Sequence, residues 1–330
     1  AEVALELMPG NKIRKYDTWH AMGQGATTGS LVVTLEALKE MHLTPEDIQL
    51  IQNDTKTCPD TGMAGASRSL YMDGNATIIA ANKLLAAMRK EDGTLRTYDE
   101  MKAEGIETKY LGRYETNTTP GLCRLDPNTG IGDPTPAFTY CLNLAEVEVD
   151  TKTGKTTVLK FTCVDFVGRI GNIDAVNGQA YSGIMHGIGF ALKEDYADVK
   201  KHANMFGAGT SYIKDVPDDI NLIHIDGAIS DGPFGSSGAS EAFQASGHCA
   251  VLNGIYNACG VRIHEIPALP EKVKAGLDAI EKGEKPYEPK KYFLGSDMYE
   301  ELENIKENPV QVGTQSFYVS LDDPTAERPF

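Results

Sequence analysis

Gly232-Pro233-Phe234-Gly235-Ser236-Ser237-Gly238-Ala239-Ser240-Glu241-Ala242-Phe243 is the stretch on which the reading of this chain turns. Three glycines and three serines lead into one carboxylate, and an apolar run of helical character follows. Small residues let a backbone approach a bulky ligand and leave amides free to donate hydrogen bonds. The carboxylate stands at the mouth of that cradle, at or near a helix start. A helix dipole favours its charged form and burial disfavours it, the balance by which a general base is tuned. A flexible loop before an ordinary helix cap looks the same in isolation, so the surrounding sequence has to decide.

Downstream, residues 242–259 read as one helix with apolar positions at Ala245, Cys249, Leu252, Tyr256 and Cys259. An extended stretch over 262–270 and a last helix over 271–282 follow. Upstream, 220–225 is a strand. Asp174 is placed to cap a helix running to about Leu192. That helix carries Gly178, Gly183, Gly187 and Gly189. Glycine inside a helix costs roughly 1 kcal/mol relative to alanine, so these positions point to close packing against backbone or ligand. Residues 138–150 and 156–167 alternate and flank an Asp-Thr-Lys-Thr-Gly-Lys turn, a β-hairpin. Residues 116–136 form a long ordered loop.

Nearer the amino end, 1–7 and 48–51 read as strands, and 27–41 and 69–89 as helices, the second carrying Gly74 in its interior. The chain thus begins inside an element, with no leader. Residues 91–105 are charged and peripheral. Strands and helices mix without regular βαβ spacing, so the fold class is α+β. Two regions are expected: 1–282, folded, and 283–330, a Pro-punctuated tail that contacts a neighbouring subunit and contains the solvated turn Pro289-Lys290-Lys291.

The 330 residues carry a net charge of −16, which argues against nucleic acid and anionic membrane as partners. No run of 18 apolar residues spans a bilayer. The first residues lack the basic and apolar regions of a signal peptide; the expected location is cytoplasmic. The six cysteines, at 58, 123, 141, 163, 249 and 259, form no C-x-x-C pair and no metal-ligand spacing. They read as thiols in a reducing compartment.

Further glycine-rich loops precede or open helices: Met22-Gly23-Gln24-Gly25-Ala26-Thr27, Thr61-Gly62-Met63-Ala64-Gly65-Ala66-Ser67-Arg68-Ser69, and Asn177-Gly178-Gln179. Helix N-termini rich in Gly and Ser bind anions through free amides. Neither G-x-G-x-x-G nor a Walker loop is present. The sites therefore suit a phosphate-bearing cofactor that is neither an ordinary dinucleotide nor a nucleoside triphosphate.

The ordered set Gly23-Gln24-Gly25, Asn53-Asp54-Thr55, Ala64 to Ser69, Gly178-Gln179 and Gly235 to Glu241 resembles the molybdenum hydroxylases, the xanthine dehydrogenase and aldehyde oxidoreductase family. The likeness covers about residues 1–282 and matches only the second half of the family's molybdopterin-binding region. The Gly-Gly-x-Phe-Gly loop of the first half is missing. The resemblance therefore implies a partner, a large molybdopterin subunit carrying the other half of the site. A medium-sized second piece is similar to the medium molybdopterin subunits of nicotinate dehydrogenases.

Under that resemblance the cofactor is a molybdopterin dinucleotide in its cytosine form. Its molybdenum is held by the pterin dithiolene, with no side chain of this chain as ligand, and bears a terminal sulfido or selenido group. An iron–sulfur subunit with 2Fe–2S clusters and an FAD subunit carry electrons away. Glu241 matches the family's general base, which takes a proton from an oxygen on the metal before that oxygen attacks an electron-poor carbon. Gly23, Gln24, Gly25 and Gln179 resemble pterin contacts. Gly65 and Ala66 line up on the substrate side. Ser67, Arg68 and Ser69 resemble contacts to the phosphate and nucleotide end, with Arg68 supplying charge. Ser237, Gly238, Ala239 and Ser240 resemble the wall beneath the metal. His20-Ala21-Met22 departs from the acidic residue that many relatives have before Gly-Gln-Gly.

The activity implied is hydroxylation of an N-heteroaromatic acid, nicotinate to 6-hydroxynicotinate. An aldehyde or purine substrate is the alternative within the class. A non-catalytic scaffold subunit is the alternative outside it, one that has no need of Glu241. His186 and His248 lie in helical patterns and read as core or surface. Trp19 and Tyr16 either touch substrate or pack. A half-domain of this kind is expected to expose a large apolar face.

Overall fold

The computed structural model describes residues 1–284 apart from 53, 117–125, 127, 133, 134, 199 and 230. Asn53, Cys123, most of the loop expected over 116–136, and nearly all of the tail, including Pro289-Lys290-Lys291, lie outside the described residues.

Alternating Val3, Leu5 and Leu7 make β1 (Glu2–Met8) an inward-facing strand. It turns at Pro9–Asn11, with Gly10 in the left-handed region, into antiparallel β2 (Lys12–Asp17). β3 (Ile48–Gln52) joins β2 in parallel and β4 (Lys109–Arg113) joins β1 antiparallel, giving the order β3-β2-β1-β4. One face is covered by α1 (Ala26–Ala37) and α2 (Ser69–Met88). Leu5, Leu7, Ile13, Leu38, Leu84 and Met88 form the core there. Each large side chain so buried stabilises the fold by about 1.5–3 kcal/mol. The charged stretch 91–105 contains a short helix, α3 (Tyr98–Ala103). It is started by a Thr97/Glu100 capping box and anchored by fully buried Met101.

The predicted hairpin is β5 (Tyr140–Val149) and β6 (Thr156–Phe166), to which β7 (Asp219–His224) adds in parallel. The inner face of this sheet packs on α4 (Ile173–Leu192), α5 (Ser240–Ala245) and α6 (Gly247–Cys259) through Phe161, Cys163, Ile184, Ile188, Phe243 and Val251. α7 (Pro270–Glu281) closes a smaller cluster around Ile255, Val261 and Val273. The outer face aligns Tyr140 with Phe166, Leu142 with Val164, and Val164 with Ile223. Tyr140, Leu142 and Leu144 are 64, 56 and 58% exposed, so the described residues present a contiguous apolar sheet face.

Two expectations need correction. Asn172, not Asp174, caps α4: its Oδ1 accepts from the Ala175 amide at 3.0 Å, while Asp174 sits inside the first turn. The helix expected over 242–259 starts at Ser240 and breaks at Ser246, whose hydroxyl accepts from Asn143 Nδ2 at 2.9 Å. The break brings Gly247 against α4, where a Cβ on Gly187 would stand 2.9 Å from the Gly247 Cα. Gly183 abuts Phe243 in the same way, at 2.6 Å. The helix glycines at 183 and 187 thus serve close backbone packing. No described helix is long and apolar enough to cross a membrane.

Candidate functional site

Four helices, α1, α2, α4 and α5, bring their amino ends to one cavity of about 670 Å³, well within the range of cofactor pockets. Its apolar walls come from Trp19, Val32, Val33, Leu70, Ile170 and Val176. Gly25 precedes α1 with no side-chain cap, so the first α1 amides keep their donors. A Cβ on Gly25 would lie 3.5 Å from the Ala175 Cβ, so the starts of α1 and α4 meet at the wall.

The loop before α5 is pinned from several sides. Arg169 N donates to Gly235 O at 2.9 Å, Ser236 Oγ to Arg169 O at 2.6 Å, and Ser237 N to Val167 O at 3.2 Å. Pro233 is buried against α2, where a Cβ on Gly74 would fall 2.6 Å from its ring. Asn75 Nδ2 also reaches Asp231 O at 3.0 Å. Gly238 passes so near the α2 loop that a Cβ there would stand 1.5 Å from Ser67 O. On the other side of that contact Ala66 and Ser67 both adopt left-handed φ, 53° and 50°. Such backbone costs of order 1–3 kcal/mol per residue and persists where surroundings over-determine it.

That conformation aims the Ser67 hydroxyl at the start of α5. Ser67 Oγ accepts from Glu241 N at 3.1 Å and donates to Glu241 Oε2 at 3.0 Å. One hydroxyl from a distant loop thus completes the first turn of α5 and holds its carboxylate. Glu241 Oε1 has no partner among the described residues and Glu241 is exposed within the cavity.

Beneath the cavity Lys15 is fully buried, with Nζ 2.8 Å from Asp73 Oδ2 and 3.3 Å from Asp17 Oδ2. Asp17 also accepts from Trp19 N, Ser30 Oγ and Gln52 Nε2, which fixes Trp19 in the wall. Burial pushes the Asp73 carboxyl up to about 6 although Lys15 opposes the shift. On the α4 side, His224 bridges Asp165 Oδ2 (2.7 Å) and Asn177 Oδ1 (2.8 Å), tying the second turn of α4 to β6 and β7. Burial raises the Asp165 carboxyl as well.

Among the residues singled out from sequence, Gln24, Gly25, Gly65, Ala66, Ser67 and Ser69 line this cavity. Gln179, Ser237, Gly238, Ala239, Ser240 and Glu241 line it too. The Gln24 amide is turned onto its own loop, donating to His20 O at 2.7 Å and accepting from Met22 N at 2.5 Å. The Gln179 amide has no hydrogen-bond partner among the described residues. Gly23 and Arg68 do not line the cavity; the Arg68 guanidinium lies 3.5 Å from where a Cβ on Gly62 would be. Trp19 lines the wall, whereas Tyr16 bonds Glu6 and sits under Lys109, away from it. His186 and His248 do not contribute. Arg169 and Glu36, not singled out from sequence, do line it. The signal for Arg169 was the Gly168-Arg169-Ile170-Gly171 turn after a strand. No described group of three or more His, Cys, Asp or Glu could hold a metal ion. Free amide donors and walls of small residues fit a pterin with a phosphate.

Residues 1–217 match the family described as "Molybdopterin cofactor-binding domain". The chain is 41% identical over 279 residues to the aldehyde oxidoreductase of Megalodesulfovibrio gigas, covering 84% of this chain and 30% of that protein. It is 24% identical over 294 residues to the 6-hydroxypseudooxynicotine dehydrogenase complex subunit gamma of Paenarthrobacter nicotinovorans, 80% of this chain and 36% of that one. The crystal structure of the aldehyde oxidoreductase from Desulfovibrio desulfuricans superposes with a TM-score of 0.80 at 44% identity, over 83% of this chain and 30% of that one. The chain thus spans about a third of the length of these relatives.

Proposed function

The chain belongs to the molybdopterin cofactor-binding domain family of the molybdenum hydroxylases, and from that premise we propose that it is half of a hydroxylase active site with Glu241 as general base. The observation that carries this reading is the carboxylate of Glu241, held through one oxygen by Ser67 at the cavity. A scaffold that only closes a partner's site has no use for a positioned base.

The chain's residues divide the work. Gln24 and Gln179 would hold the pterin, with backbone of the Ser237–Ser240 stretch beneath it. Ser67 holds Glu241 Oε2, which leaves Oε1 to accept a proton from the attacking oxygen. Trp19, Val33 and Leu70 exclude water and raise the strength of charge interactions around the base. The bound cofactor supplies the metal centre that takes up two electrons.

We propose a cytosine dinucleotide form with a sulfido or selenido group on the metal, a large molybdopterin subunit that completes the cavity, and iron–sulfur and FAD subunits that carry electrons onward, in the cytoplasm. The uncovered outer face at Leu142 and Leu144 supports a partner. Region 1–282 is then the cofactor-binding part and 283–330 a subunit-contacting tail. For substrate we propose an N-heteroaromatic acid, nicotinate yielding 6-hydroxynicotinate. The 41 and 44% identities to aldehyde oxidoreductases favour an aldehyde as the second reading. The test is metal and nucleotide analysis of the purified complex, followed by turnover of nicotinate, a purine and an aromatic aldehyde. Molybdenum with cytidine nucleotide and oxidation of nicotinate are expected. A metal-free complex contradicts the cofactor reading, and turnover of the aldehyde alone replaces the substrate reading.

A further inference from the structure

Three charged residues line the cavity among those described: Glu36, Glu241 and Arg169. Glu36 is paired with Lys39 at 3.0 Å, and Glu241 is held by Ser67. Arg169 is different. Its backbone is fixed at both ends to the loop that carries the base, through Gly235 O and Ser236 Oγ. Its guanidinium makes no hydrogen bond or ion pair among the described residues, and the residue is exposed. A rigidly mounted, unpaired guanidinium is a poor device for holding a fold and a good one for meeting an oxyanion in two parallel hydrogen bonds.

The surroundings agree in sign. Arg169 stands three residues before the Asn172 cap of the 20-residue helix α4, and the uncapped start of α1 meets that helix at Ala175. Both helix ends present partial positive charge to the cavity. The chain as a whole carries −16, so nothing in its long-range field draws an anion in; a cation inside the cavity has to hold it. The guanidinium expected to do this, that of Arg68, lies outside the wall.

Resting on the reading above, we propose that Arg169 is the oxyanion-recognition residue of this cavity, pairing with a phosphate of the bound cofactor or with the carboxylate of the substrate. The chemistry is the same for both sources, and the outcome separates them. Because the guanidinium makes no hydrogen bond or ion pair among the described residues, Arg169→Ala is expected to leave the fold intact, and Arg169→Lys restores charge without the planar fork.

The experiment compares the purified wild-type complex with both variants. One arm measures molybdenum and released nucleotide per chain. The other measures the dissociation constants of nicotinate and of its uncharged amide, nicotinamide, by equilibrium titration. If a cofactor phosphate is the partner, Arg169→Ala loses metal and nucleotide together, Arg169→Lys recovers part of both, and the ratio of the two dissociation constants is unchanged. If a carboxylate is the partner, metal and nucleotide stay while nicotinate binding weakens roughly 10- to 100-fold and nicotinamide binding holds. Unchanged cofactor content together with an unchanged ratio overturns the proposal. A wild-type complex without molybdenum contradicts the functional reading instead, and Arg169 is then judged on the nicotinate arm alone.

Discussion

Ser67 and Glu241, 174 residues apart, are joined in both directions: the serine hydroxyl accepts a hydrogen bond from the Glu241 amide at 3.1 Å and donates one to the Glu241 carboxylate at 3.0 Å. The hydroxyl can do so because Ser67 is held in left-handed backbone. Ser67→Ala removes the orienting contact and leaves the base in place. With a net hydrogen bond worth about 0.5–1.5 kcal/mol, kcat is expected to fall roughly 2- to 12-fold, with molybdenum content and KM near wild type. Steady-state kinetics normalised to metal content check this.

Two glycines make an opposed pair. A Cβ on Gly238 would overlap Ser67 O, whereas a Cβ on Gly178 meets nothing within 4 Å. Gly238→Ala is expected to push the base loop off the Ser67 loop, with destabilisation of about 1–3 kcal/mol and loss of molybdenum. Gly178→Ala, in the interior of α4, is expected to stabilise by up to about 1 kcal/mol. Thermal unfolding and metal analysis of the two variants side by side give the answer.

Asp73 sets a pH dependence. Its folded value near 6 lies above the ordinary 3.8 because burial penalises the carboxylate. The folded state therefore binds this proton more tightly than the unfolded chain. Stability from this group is fully present below about pH 4 and is lost as pH rises through 6. Asp73→Asn keeps the shape without the charge. Relative to wild type its unfolding free energy is expected to be similar near pH 4 and higher at pH 7, by no more than the order of 3 kcal/mol. A difference that does not change with pH contradicts the assignment.

Much of the architecture was legible because its signals are local. The hairpin of β5 and β6 follows from alternation around a Gly-bearing turn, and α2 from a long run rich in Ala, Ile and Leu. β2 and β4 gave no such signal. Lys12-Ile13-Arg14-Lys15-Tyr16-Asp17 reads as polar, yet Lys15 and Asp17 are buried because they satisfy one another and Asp73. In the site, Glu241 and the glycine loops were legible as motifs. Arg169 was marked only by the stretch from Gly168 to Gly171, which does not say which side of the turn faces the cavity. The cap of α4 fell to Asn172 because its extended φ and ψ suit a cap.

The outer face of β5, β6 and β7 gives the assembly prediction. Leu142→Lys with Leu144→Lys replaces two exposed side chains, so the fold is expected to hold and the chain alone to become more soluble. Each leucine buried at an interface contributes about 1.5–3 kcal/mol, so binding to the proposed large subunit is expected to weaken at least 100-fold. Co-purification and size-exclusion chromatography read both effects; unchanged assembly means that this face is not the contact.

The central claim is that Glu241 is the base. The direct measurement is turnover of the purified complex carrying Glu241→Gln, with molybdenum quantified in the same sample. Glutamine preserves shape and the Ser67 contact but cannot take the proton. Wild-type molybdenum content with turnover reduced about 100- to 10,000-fold is expected; near-normal turnover at full metal content contradicts Glu241 as the base.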